Sequence, residues 1–98
     1  MVCGQPADVD GERYWVQDCS AATENILLAA VELELGTCWI GVYPKPDDIA
    51  AVREALTLPE DVTPLCVINV GYSAEDKAPR TQYDPARVYW QQWGMSQQ

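Results

Sequence analysis

Hydrophobic residues recur at helical spacing between Asp18 and Leu35. The apolar positions that follow this spacing are Ala21, Ala22, Ile26, Leu27, Ala29, Ala30, Leu33 and Leu35. Asp18 or Ser20 is the candidate N-cap, and Gly36 is the candidate C-terminal stop. The apolar residues cover much of the circumference, so we expect this helix to pack on two sides.

A second helical pattern follows the turn sequence Pro-Lys-Pro-Asp-Asp. Asp47 is its candidate N-cap, because a short carboxylate can accept hydrogen bonds from the first free N–H groups of a helix. Pro59 marks its end. Its single apolar stripe consists of Ile49, Val52, Leu56 and Leu58. One stripe predicts a helix that is half exposed.

Two segments have the character of strands. Residues Leu65 to Tyr72 form an apolar, β-branched run interrupted only by Asn69, which is typical of a strand covered on both faces. Residues 1–4 resemble the tail of a strand that breaks at Gly4. The polar residues 5–13 that follow predict a turn-rich connection.

The C-terminal residues 73–98 mix proline, charge and aromatic side chains. The Tyr-Asp-Pro sequence at 83–85 predicts a short helical turn. Two tyrosines and two tryptophans lie from Tyr83 to Trp93, which is more amphipathic aromatic surface than a segment leaves in water without a partner. The tail therefore packs either on its own domain or on a second subunit, and the sequence leaves both open.

Length and charge narrow the class of protein. The 98 residues suffice for one domain, residues 1–98, with a modest core. A net charge of −9 argues against nucleic acid and anionic membranes as partners, because both favour clustered Lys and Arg. No apolar run approaches the roughly 20 residues that span a bilayer, and the N-terminus lacks the pattern of a secretory signal. We expect a cytoplasmic protein.

The usual residues of metal and acid–base chemistry are sparse. Histidine is absent, and the four cysteines, Cys3, Cys19, Cys38 and Cys66, form no Cys-x-x-Cys pair. This spacing does not suit a zinc site, haem attachment or a thioredoxin-type motif, and His-dependent nucleophilic catalysis has no base. We expect the cysteines to be reduced core residues, and we assign no metal ligand and no catalytic side chain.

Four segments in series resemble the nitroreductase family of FMN-dependent oxidoreductases. They are "WVQDCSAATENILLAA", "LGTCWIGVYP", "LTLPEDVTPLCVINVGY" and "EDKAPR", and the resemblance extends from Val2 to about Trp93. It implies an α+β fold with a central sheet flanked by helices. It also implies a homodimer with FMN at the interface, and the reduction of nitroaromatic, quinone or similar acceptors with NAD(P)H.

Members of this family begin with a segment rich in Arg and Ser that binds the FMN phosphate, followed by a loop with Asn and Pro near the ring. The sequence starts after both, so it resembles the C-terminal portion of a nitroreductase, a partial fold without the N-terminal part. The expected partners are accordingly a second copy or a separate N-terminal half, together with NAD(P)H and a small aromatic acceptor.

The resemblance assigns the flavin ring to the segment of Cys38, Trp39, Ile40 and Gly41, with a backbone amide near Ile40 or Gly41 directed at the flavin N5. A backbone N–H facing N5 favours reduced flavin, and glycine lets the main chain approach a flat ring closely. From the residues alone, the same segment is explained if Trp39 and Ile40 pack in a core and Gly41 relieves a bend.

The resemblance assigns the FMN phosphate to Lys77 and Arg80, since Arg binds phosphate through paired hydrogen bonds and Lys as a point charge. The alternative is that both are solvated charges that balance Glu75 and Asp76. Asn69 is expected to satisfy a neighbouring backbone group.

Three functions follow in order of preference. The first is an FMN-dependent NAD(P)H oxidoreductase of the nitroreductase family. The second is a non-catalytic remnant or dimerising module that has lost flavin binding, suggested by the missing phosphate-binding segment. The third is an acidic, monomeric partner-binding domain that binds its partner through the sequence Val-Tyr-Trp-Gln-Gln-Trp of the tail.

Overall fold

The computed structural model describes residues 1–7 and 11–95 and arranges them as an α+β fold. Its elements are β1 (Val2–Gly4), α1 (Gly11–Glu32), β2 (Gly36–Gly41), α2 (Pro46–Leu56), β3 (Thr63–Gly71) and a 3-10 helix (Pro85–Arg87). The three strands form one antiparallel sheet in the order β1-β3-β2. Both helices contact the sheet, so the predicted fold class and the strands at both predicted places are confirmed.

Helix α1 begins well before the predicted start at Asp18. Its buried and half-buried positions include Trp15, Cys19, Thr23 and Ala30, whose spacings of four, four and seven residues keep them on one face of the helix. The apolar pattern of the sequence did not predict this early start, because the buried face includes a threonine and the first turn of the helix is charged. Residues 11–13 thus belong to the helix, while residues 8–10 of the predicted turn lie outside the described part of the chain.

The C-terminal end of α1 is a Schellman motif rather than a stop at Gly36. The N–H of Leu35 donates to the Ala30 carbonyl at 2.8 Å, and the N–H of Glu34 donates to the Val31 carbonyl at 3.0 Å. Glu34 adopts the left-handed conformation, with φ 57°, that glycine commonly supplies at this position. Gly36 is therefore free to be the first residue of β2.

The second predicted packing side of α1 is exposed in the described chain. Thr23 and Ala30 face the sheet and are buried, whereas a stripe at neighbouring helical positions is exposed. That stripe consists of Ala22, Ile26, Ala29 and Leu33. We name it the α1 apolar stripe. Its spacing of four, three and four residues makes a continuous band along the helix.

Helix α2 begins with Pro46 in its first turn, so Asp47 is not its N-cap. Lys45 takes the cap position in an extended conformation, and no side chain caps the helix. Proline suits the first turn because its missing N–H would have no partner there. Asp47 and Asp48 instead lie in the first turn, where carboxylates interact favourably with the helix dipole. No residue of α2 is fully buried, in agreement with the predicted exposed face.

Strand β3 is covered only along its first half, which corrects the expectation of a strand buried on both faces. Pro64, Leu65 and Cys66 are buried, but Asn69, Val70 and Gly71 are exposed. The core consists of Trp15, Leu65 and Cys66, with Val2, Val16, Cys19 and Ile68 packed against it. The hydrophobic core therefore sits where β1, α1 and the first half of β3 meet.

The described part of the C-terminal segment does not pack on this core. Trp93 is 88% exposed and Tyr83 is 72% exposed, although Tyr89 and Trp93 stack on each other with ring centroids 4.6 Å apart. The predicted helical turn is present as the 3-10 helix, and residues 96–98 lie outside the described range. The radius of gyration, 17.4 Å, exceeds the roughly 13 Å typical of a compact domain of this length.

Candidate functional site

The orientation of the β2 backbone follows from one hydrogen bond at its end. The N–H of Val42 donates to the Leu65 carbonyl at 3.0 Å, which continues the register in which Gly41 lies opposite Cys66. Because successive residues of a strand direct their backbone groups to opposite sides, Ile40 also faces β3. The backbone groups of Trp39 and Gly41 are thus directed away from β3, toward the free edge of β2, which pairs with no other strand of residues 1–7 and 11–95.

Gly41 combines an outward amide with open space. A Cβ atom built on Gly41 would meet nothing within 4 Å, whereas one built on Gly4 would lie 2.8 Å from a Trp15 ring carbon. A flat ligand could therefore approach the Gly41 backbone without displacing protein atoms. Of the two amides suggested by the resemblance, the geometry favours Gly41, since the Ile40 amide is engaged with β3.

The side chains of this segment are accessible rather than packed in the core. Trp39 is 40% exposed and Ile40 is 43% exposed. They lie on opposite faces of the sheet, because the side chains of successive residues in a strand alternate between the two faces. Two partly exposed apolar side chains beside an outward amide offer contacts that a flat aromatic ring could use.

Cys38 lies near the middle of β2, and its exposure corrects the expectation that all four cysteines are core residues. Cys66 is buried, and Cys3 and Cys19 are intermediate. Cys38 lines an open depression of about 340 Å³ whose other lining residues are Gly36, Thr37, Asn69, Val70, Gly71, Tyr72 and Ser73. Asn69, expected to bond a neighbouring backbone group, is exposed here opposite Cys38. The sequence did not single out Thr37 or Ser73, because only the pairing of the strands brings them together.

Lys77 and Arg80 lie in an exposed segment without regular secondary structure. Lys77 forms an ion pair with Glu75, as the solvated alternative expects. In the described ranges, the structure shows no ion pair or hydrogen bond that joins Lys77 or Arg80 to β2. The fold therefore brings Cys38, Trp39, Ile40 and Gly41 together on one strand and leaves the two cations apart in solvent.

Two thiols outside this segment have perturbed acidity. Burial raises the pKa of Cys19, and the nearby negative charge of Asp18 raises it further. Burial also raises the pKa of Cys3, against a smaller lowering effect of the N-terminal amine. A thiol with a raised pKa stays protonated at neutral pH and is a poor nucleophile. Cys3 and Cys19 are accordingly structural groups.

Neither a metal site nor a membrane-spanning helix is found in the described ranges. Residues 1–7 and 11–95 contain no group of three or more Cys, Asp and Glu side chains placed to hold a metal ion. In the same part of the chain, neither helix has the length and apolar character needed to cross a bilayer.

The structure is an antiparallel sheet with helices packed on it, and its edge strand β2 directs a glycine amide outward. The chain is therefore an α+β protein with a sheet edge that is open to a flat ligand. The nitroreductase family model matches residues 4–72. The chain belongs to the nitroreductase family.

Individual relatives agree with this assignment. The chain is 48% identical over 80 residues to a "Putative NADH dehydrogenase/NAD(P)H nitroreductase" of Methanothermobacter thermautotrophicus, covering 82% of this chain and 42% of the relative. A solved structure of the same name from Bacteroides thetaiotaomicron superposes with a TM-score of 0.85 at 43% identity, covering 93% of this chain and 52% of that one. An FMN-dependent nitroreductase from Clostridium difficile gives a TM-score of 0.81 at 30% identity, covering 93% and 55%. The chain therefore spans about half the length of these relatives.

Proposed function

We propose that this chain forms part of an FMN-dependent oxidoreductase that reduces nitroaromatic, quinone or similar acceptors with NAD(P)H in the cytoplasm. The observation that carries the proposal is the outward Gly41 amide beside open space, on a chain that belongs to the nitroreductase family. The name of the Clostridium difficile relative supports FMN as the cofactor.

The residues of β2 fit a flavin ring better than those of the tail fit its phosphate. The Gly41 N–H would donate to the ring, and Trp39 and Ile40 would flank it, with Cys38 further along the strand. Lys77 would have to leave Glu75 to bind phosphate, and Arg80 would join it from the same exposed segment. When bound, FMN supplies the two-electron carrier that the protein side chains lack.

We also propose that the working unit contains a second polypeptide, either another copy or a separate N-terminal half. The α1 apolar stripe and the aromatic residues of the tail are exposed in the single chain, and surfaces of this kind are typical of protein interfaces. Sedimentation of the purified chain tests the first partner, and a stable homodimer would contradict the acidic monomeric domain.

An FMN titration followed by absorbance and by quenching of flavin fluorescence tests the proposal directly. We expect saturable uptake, and weakening by Gly41→Ala, whose methyl group would stand between backbone and ring. Gly71→Ala is the matched control, because a Cβ atom there also meets nothing within 4 Å and lies outside the proposed ring contact. Failure of the folded protein to bind FMN in any assembly state would favour the non-catalytic module.

The phosphate assignment has its own test. We expect Lys77→Ala combined with Arg80→Ala to weaken FMN binding by at least about tenfold, as for the loss of charged hydrogen bonds to phosphate. Lys45→Ala combined with Arg87→Ala changes the charge equally and removes two exposed ion pairs elsewhere. An equal loss in both double variants would show a general charge effect and overturn the assignment.

A further inference from the structure

One polar side chain lies in the apolar interface between α1 and the sheet. Thr23 is fully buried, and in the part of the chain that the structure describes it is the only buried polar side chain besides the thiol of Cys66. Threonine is mostly found at the surface, because a buried hydroxyl costs free energy unless it is hydrogen-bonded. The hydrogen bonds of this hydroxyl therefore indicate what it does that a valine of similar shape could not.

The Thr23 hydroxyl has two hydrogen-bond partners, and their chemistry assigns its proton. The hydroxyl oxygen lies 2.8 Å from the Cys19 carbonyl oxygen and 3.4 Å from the Cys66 sulfur. A carbonyl only accepts, so the single hydroxyl proton is donated to Cys19, and the Cys66 S–H donates to the hydroxyl oxygen. The first bond lies within α1, whereas the second joins α1 to β3.

Cys66 is the residue at which all three strands meet. It pairs with Val2 of β1 on one side and with Gly41 of β2 on the other. The adjacent hydrogen bond of the ladder runs from the Val42 N–H to the Leu65 carbonyl, so Cys66 and Gly41 form a pair without hydrogen bonds between them. In such a pair the two Cα atoms lie only about 4.5 Å apart, so a displacement of Cys66 is transmitted to the Gly41 backbone.

We propose that Thr23 is a positioning residue for the Gly41 amide and acts through the Cys66 thiol. Apolar contacts between α1 and the sheet are non-directional, whereas a hydrogen bond fixes both a distance and an angle. The bond from Cys66 to Thr23 thus holds β3 in one position against α1, and β3 holds Gly41 in turn. The consequence for flavin binding rests on the proposed function, because it requires the Gly41 N–H to donate to the ring.

Two substitutions of Thr23 separate positioning from a contribution to stability. Thr23→Val replaces the hydroxyl with a methyl group, so it removes the bond to Cys66 and keeps the volume, and the thiol that loses its partner is only a weak donor. Thr23→Ser keeps the hydroxyl and removes the methyl group, so it leaves a small cavity, and we expect it to be the less stable variant. A purely structural role predicts the larger loss of function for Thr23→Ser, and positioning predicts it for Thr23→Val.

The first measurement needs no flavin. The amide chemical shifts of Gly41 and Gly71 report the geometry of the folded state, and Gly71 is the internal control because it lies at the C-terminal end of β3. We expect Thr23→Val to displace the Gly41 signal further than the Gly71 signal, and Thr23→Ser to leave both close to their original positions. No displacement by Thr23→Val, or an equal displacement of Gly41 by Thr23→Ser, would overturn the proposal.

The second measurement is the affinity for FMN. We expect Thr23→Val to weaken it about fivefold and Thr23→Ser to change it less than about twofold. In a protein that already carries Cys66→Ala, adding Thr23→Val should change the affinity less than about twofold, because the partner of the hydroxyl is absent. The opposite order of the two Thr23 variants, or an undiminished effect beside Cys66→Ala, would overturn the proposal.

Two further outcomes are distinguished by the same set of proteins. If Thr23→Val does not fold, Thr23→Ala takes its place, because it differs from Thr23→Ser by the hydroxyl alone. If neither the unaltered protein nor any variant binds FMN, the proposed oxidoreductase function fails, whereas the chemical shifts still decide whether Thr23 positions Gly41.

Discussion

The two halves of β3 have similar apolar composition and opposite surroundings. Leu65 and Cys66 are 6% and 0% exposed, because β1 pairs there and α1 packs over them. Four residues later, Val70 is 54% exposed and pairs only with β2. The comparison shows that a run of apolar residues predicts a strand. It does not indicate which part of that strand is covered by other residues of the chain. Here stability is concentrated at one end, and the accessible surface lies at the other.

The two halves of β3 should differ most clearly in how much stability is lost when a large side chain is removed from each. We expect Leu65→Ala to lower the free energy of unfolding by about 2–5 kcal/mol, because it leaves a cavity in the core. Val70→Ala should change it by less than about 0.5 kcal/mol, since the side chain is largely in solvent. Urea denaturation monitored by tryptophan fluorescence measures both.

A small core has little stability to lose. If Leu65→Ala leaves no folded population to titrate, Leu65→Val serves in its place, with an expected loss of about 1 kcal/mol. Similar losses from substitution at Leu65 and Val70 would contradict the assignment of the core to the first half of the strand.

Adding a methyl group tests the same contrast from the opposite direction. A Cβ atom at Gly4 would lie 2.8 Å from a Trp15 ring carbon and 3.3 Å from the Cys19 sulfur. We expect Gly4→Ala to destabilise the fold by about 1–3 kcal/mol through overpacking. Gly71→Ala, at the open end of β3, should be neutral or slightly stabilising, because alanine loses less backbone entropy than glycine. Thermal unfolding under identical conditions compares the two, and an unaffected Gly4→Ala would show that Trp15 can move away.

The sequence predicted the elements better than their surroundings. Helical spacing identified α1, but its start was misplaced because the buried face runs through Thr23 and Trp15 rather than through aliphatic residues alone. Its end was misplaced because Glu34 takes the left-handed position usually given to glycine. The family resemblance identified the segment from Cys38 to Gly41. The direction of the Gly41 amide required the register between β2 and β3, which no local pattern contains.

The smallest predicted effect is the pH dependence of stability. It distinguishes the thiols of the packed region, Cys3 and Cys19, from the exposed Cys38. Burial raises the pKa of Cys3 and Cys19 in the folded protein, so as pH rises the unfolded chain loses these protons first. The stabilising contribution is fully present below about pH 8.5, the unfolded thiol range, and is lost as pH rises through the folded pKa values.

We therefore expect the urea midpoint, measured under reducing conditions, to fall between about pH 8 and pH 10. Cys19→Ala should make that fall shallower, because it removes one of the two partly buried thiols whose pKa is raised. Cys38→Ala is the matched control, since its thiol lies exposed at the open end of the sheet, and it should leave the slope unchanged. The three proteins are compared under identical conditions, so the difference between their slopes isolates the thiol. If Cys38→Ala flattened the curve as much as Cys19→Ala, burial at the packed end would not be the cause.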